Sequence, residues 1–65
     1  MTPRDLSYVP TLANLDEVSG VCLAVDCGVI PRLLPYEIEA LERRAREIGG
    51  KGVANLVAEI RRRSA

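Results

Sequence analysis

The chain has 65 residues, is 48% apolar, and balances nine basic against nine acidic side chains with no histidine. That length allows one small domain, which buries only about 60% of its unfolded surface, and the apolar fraction excludes a solvated coil. Zero net charge argues against non-specific nucleic-acid binding as the main activity.

Residues 1–11 contain Pro3 and Pro10 and read as an extended arm. Leu6, Tyr8 and Val9 could pair there as a short edge strand, where proline is tolerated. Leu12, Leu15 and Val18 recur every three residues, which predicts one or two helical turns capped by Thr11. Ser19-Gly20 then punctuates the chain. The run Val21 to Val25 is short, apolar throughout and bounded by Gly20 and Gly28, so it is the best strand candidate. Periodicity alone does not separate such a run from a buried helical segment. Its lack of alternation means that both faces need cover, which implies a second copy or a partner.

Gly28, Pro31 and Pro35 prevent a long helix over residues 28–35. The residue before each proline, Ile30 and Leu34, is pushed toward an extended conformation. A helix is then predicted from Pro35, which suits the first helical position, to Ile48. Leu34, Ile38, Leu41, Ala45 and Ile48 alternate spacings of four and three, a narrow coiled-coil-like seam. Glutamates crowd its start and arginines its end, as the macrodipole favours, and Glu39–Arg43 and Glu42–Arg46 are spaced as ion pairs. Gly49-Gly50 stops this helix. A second one over residues 53–63 presents Val53, Leu56, Val57 and Ile60, with the small Ala54 and Ala58 available for close packing. The expected fold is therefore mainly α with a short β element (α+β). It forms a single domain over residues 1–65, with an arm, strand and loops over 1–33 and an antiparallel helical hairpin of 35–48 and 53–63, the whole dimerising through the hairpin seam.

Charge is split along the chain. Residues 1–42 hold two bases against seven acids, net minus five, and residues 43–65 hold seven bases against two acids, net plus five. This suits helix-dipole matching, self-pairing or a local basic patch. The polar, proline-broken opening is unlike a signal peptide. The longest apolar run, Val21 to Ile30, contains Asp26 and is too short to span a bilayer. A cytoplasmic location is expected.

Residues with catalytic chemistry are sparse. Without histidine the commonest general base and metal ligand are missing, and two tyrosines make no base-stacking platform. Cys22 and Cys27 cannot complete a four-ligand zinc site within one chain. A disulfide between them needs a tight turn, and on a straight strand their odd spacing places them on opposite faces; otherwise they serve as small apolar side chains. The GGKG turn joins two helices and lacks the phosphate-loop pattern. Glu39 and Glu42 are neighbours on the predicted helix, yet each has an arginine four residues on, so both read as solvated, ionised surface. No catalytic, cofactor or metal site is expected.

The stretch LLPYEIEALERRAREIGGKGVANLVAEIRRR resembles the two-helix portion of ribbon-helix-helix DNA-binding proteins of the Arc and MetJ type. Leu34-Pro35, Ile38, Leu41, Ala45, Ile48, Gly49, Leu56-Val57 and Ile60 occupy the places of that pattern, over about half the chain. The resemblance implies a strand over residues 29–34 paired with a symmetry mate, Arg32 as base reader, and Lys51, Arg61, Arg62 and Arg63 as further DNA contacts. Two functions are thus carried forward. One is a small non-enzymatic regulator acting by protein–protein interaction, of inhibitor, adaptor or antitoxin type. It would form an obligate homodimer and present Val21, Leu23, Val25, Val29 and Ile30 to its partner protein. The other is a ribbon-helix-helix transcriptional regulator.

Overall fold

In the computed structural model, which describes residues 6–65, a single 3-10 turn (Val9–Thr11) leads into α1 (Leu15–Asp26), α2 (Pro35–Ile48) and α3 (Val53–Arg62). Among the described residues there is no strand. The only β feature is an isolated parallel bridge between Leu33 and Ser64. The fold is mainly α, and the expected α+β organisation is corrected accordingly. The first five residues of the expected arm lie outside the described residues; the rest of it turns into the 3-10 helix rather than an edge strand.

The largest departure is α1. Residues 21–25 are not a strand but the second half of a twelve-residue helix that runs straight through Ser19-Gly20. Its cap is Asn14, not Thr11: the Asn14 side chain accepts from Glu17 N–H at 2.9 Å. Glu17 in turn accepts from Ala13 N–H at 3.1 Å. This reciprocal pair is close kin to a capping box. At the far end Gly28, at φ +81°, lets Gly28 N–H reach Val25 O at 3.1 Å and Val29 N–H reach Ala24 O at 2.9 Å. That is a Schellman closure, which needs a left-handed residue where glycine bears no penalty. Gly28 therefore ends a helix rather than a strand. Val18, Val21, Cys22 and Val25 are the buried side chains. Their spacing of three, four and seven marks one helical face.

α2 starts as expected. Pro35 occupies the first turn, and Glu37, 1% exposed, accepts from Leu34 N–H at 2.8 Å. It ends at Gly49, again at a positive φ of +73° that favours glycine. α3 packs against it as the predicted hairpin. Leu41, Ala45, Leu56, Val57 and Ile60 are buried, while Ile38, Ile48 and Val53 flank the core half-buried. The seam closes within one chain, because α1 lies across both hairpin helices and supplies the cover that a second copy was expected to give. Leu33, absent from the expected seam, is fully buried, and its neighbour Leu34 is only half-buried. The extended backbone before Pro35 turns successive side chains to opposite sides. Val9 and Leu12 close the remaining edge, held by Arg44, whose Nε donates to Leu12 O at 3.0 Å.

Leu41 has no exposed surface. Leu41→Asp would bury an unpaired charge and is expected to abolish the helical circular-dichroism signal; a folded variant would mean that the α2 register is wrong. Asn14→Ala should cost about 1 kcal/mol, or roughly 4–8 °C in Tm, read by thermal denaturation. Asn14→Ser should restore most of it.

Candidate functional site

Packing of α1 on the hairpin divides the five residues expected to face a partner. Val21 and Val25 turn inward, each 8% exposed, and Ile30 is half-buried against the core. Leu23 and Val29 stay outside at 64% and 77%, the exposed large hydrophobics of the described residues. Leu23 rides the outer face of α1, and Val29 follows in the turn after it. A shallow groove of about 480 Å³ runs beside Leu23 between α1 and α3, with Asp16, Ser19 and Gly20 on one side and Glu59 and Arg63 on the other. Space at Gly20 is open: a Cβ there would meet nothing within 4 Å.

Four of the five expected DNA contacts are taken up elsewhere. Arg32 donates from Nε to Ser64 O and from Nη2 to Arg62 O, both at 2.9 Å, so its guanidinium caps the end of α3. Arg61 makes a two-pronged contact with Glu42, Nε to Oε2 at 2.9 Å and Nη2 to Oε1 at 2.8 Å. Arg62 pairs with Glu59 at 3.2 Å. Arg63 binds Asp26 at 2.6 Å and Glu59 at 2.9 Å. Lys51 is exposed at the opposite end of α3, about 15 Å away along the helix. The strand implied by the ribbon-helix-helix resemblance is not formed among the described residues: residues 29–34 are turn and extended chain with one bridge.

Glu42 is the functional-group surprise. Expected on the solvated surface with Glu39, it is 7% exposed and ties α2 to α3. Arg46, its expected partner, reaches it only at 3.5 Å. The Arg61 hydrogen bonds, helped by the nearby charges of Arg61 and Arg46, hold its carboxyl below the usual range despite opposing desolvation. The Arg63 hydrogen bonds do the same for Asp26 and Glu59. Glu39 remains exposed beside Arg43 at 3.6 Å. With Glu42 kept ionised, the two glutamates form no acid–base pair. The signal for Glu42–Arg61 was the charge split itself, but nineteen residues of separation gave it no local period.

Cys22 and Cys27 are both free thiols. On a helix, five residues turn about 140° around the axis, which separates them. Cys22 is 4% exposed. Burial raises its pKa, with Glu59 and Asp26 adding and Arg63 opposing, so it is kept a protonated, unreactive thiol. No group of His, Cys, Asp and Glu among the described residues is arranged to hold a metal ion, and no helix there is long and apolar enough to cross a membrane.

No protein-family model matches the chain, and neither a curated protein nor a solved structure is detectably similar to it.

A thiol reagent should label exposed Cys27 at once and Cys22 only on unfolding. Equal labelling rates by mass spectrometry would contradict the burial of Cys22. The three depressed carboxyls make stability pH-dependent. Each has a folded pKa below its unfolded value, so its contribution is present above the unfolded range near pH 4 and is lost as pH falls through the folded value. Glu42→Gln should therefore lower stability at pH 7 and flatten the acid limb of the denaturation midpoint against pH; an unchanged acid limb would show that Glu42 is not coupled to folding.

Proposed function

We propose that this chain is a small regulatory protein that acts without catalysis, by binding another protein through the outer face of α1. The observation that carries this reading is the exposure of two bulky apolar side chains, Leu23 on the rim of an open groove and Val29 in the turn after α1, while the other large apolar side chains of the described residues are turned inward or half-covered. Exposed apolar surface rimmed by polar residues marks interaction sites, and the groove beside Leu23 is rimmed by Asp16, Ser19, Glu59 and Arg63. An inhibitor, adaptor or antitoxin-type role needs nothing else from the domain. The motive for an obligate dimer weakens, since α1 already covers the hairpin. The DNA-regulator alternative loses support for a similar reason: Arg32, Arg61, Arg62 and Arg63 are engaged in contacts within the chain, and phosphate contacts would have to displace them.

The test is affinity capture of the tagged protein from its source lysate, with nuclease, beside a Leu23→Lys/Val29→Lys double variant. Both positions are exposed, so the variant should keep its helical signal. It should lose a nuclease-resistant protein partner by about 2 kcal/mol or more, roughly thirtyfold in affinity. Undiminished capture by the variant, or recovery of a discrete DNA fragment released by salt, overturns the reading.

A further inference from the structure

The sequence of α1 is poor helix material. Val18, Ser19, Gly20, Val21, Cys22, Val25 and Asp26 make up more than half of its twelve residues, and all rank low as helix formers, Gly20 lowest. Isolated helices of this length are marginal even with good formers. Its last turn holds no base and ends on Asp26, so an acid sits at the negative end of the macrodipole. Locally the helix has its Asn14 cap and its Gly28 closure; the rest of the correction comes from α2 and α3. The buried valine face needs the hairpin to lie on, and the charge at its end is answered chiefly by Arg63, with Arg62 and Arg32 nearby.

Arg63 is built as a clamp. Its Nε donates to Cys22 O at 3.1 Å and to Asp26 Oδ1 at 3.0 Å, and Nη2 donates to Asp26 Oδ2 at 2.6 Å. Nη1 donates to Glu59 O at 2.7 Å and Glu59 Oε2 at 2.9 Å. One guanidinium thus joins the last turn of α1 to the last turn of α3. The hairpin, by contrast, is held by its own apolar seam, by the Glu42–Arg61 fork and by better helix formers.

We infer that α1 is a conditional helix, templated by the α2–α3 hairpin and latched by Arg63, and that it opens as a unit before the hairpin unfolds. Opening exposes the valine face of α1 and the side of the hairpin it covers, so a protein partner can be met by a segment that orders or releases. This holds whether or not the outer-face binding reading is correct.

Native-state hydrogen exchange on the full chain tests it without any partner. Amides of α1 are expected to exchange through an opening that is on the order of tenfold or more easier than that of α2 and α3. Arg63→Ala should speed α1 exchange further by roughly tenfold and leave the hairpin amides nearly unchanged. Asp26→Asn removes one partner of the clamp from an exposed position and gives a smaller acceleration of α1 alone, which keeps the test decisive if Arg63→Ala fails to fold. Exchange of all three helices at one common free energy overturns the inference. So does selective α1 exchange that neither variant changes.

Discussion

Arg63 sits where the C-terminal turns of α1 and α3 meet, and its guanidinium answers a carbonyl and a carboxylate from each. The last turns of the two helices thus share one cation. Its side chain is 16% exposed, so the contacts lie partly out of water, where charge-assisted hydrogen bonds count for more. The hydrogen bonds to Asp26 and Glu59 in turn hold Arg63 firmly protonated. Without this junction the acid at the end of α1 would lose its hydrogen-bonded partner and keep only the nearby charges of Arg62 and Arg32.

A second fork, Arg61 on Glu42, does for α2 and α3 what Arg63 does for α1 and α3. The Arg61–Glu42 and Arg63–Asp26 pairs join bases of the basic end to acids of the first part, while Arg32 caps the carbonyls of Arg62 and Ser64. The acidic first part and the basic end meet inside one molecule. Self-association and nucleic-acid binding, the two outlets that the split suggested, thereby lose their strongest motive. Two bulky apolar side chains, Leu23 beside an open groove and Val29 in the turn after α1, are exposed, and they direct the functional reading toward a protein partner.

Much of the fold was legible. The hairpin, its Pro35 start, its glycine stop and its apolar seam follow from spacing alone, because a helix writes its buried face at three and four residues. The start and stop of α1 were legible too: Asn14 stands three residues before Glu17, and Gly28 stands two beyond Asp26. The sequence alone nevertheless points to Thr11 as the cap and Gly28 as a strand boundary, because in Val21–Val25 the apolar Leu23 and Ala24 erase the contrast between faces. β-branched residues there favour a strand locally. The helical period of Val18, Val21, Cys22 and Val25 is visible only when Val18 is read across Ser19-Gly20.

The sequence by itself determined one small helix-rich domain, the two hairpin helices and the scarcity of catalytic groups, since these rest on composition and on periods within a few residues. Tertiary structure decided the state of residues 15–26, the burial of Leu33 and Glu42, and the partners of Arg32, Arg61 and Arg63. Each of those depends on residues nineteen or more positions away. A strand-prone segment becomes a helix when its valine face finds the hairpin and Arg63 closes its end. Local propensity of a few tenths of a kcal/mol per residue yields to the burial of four apolar side chains at about 1.5–3 kcal/mol each.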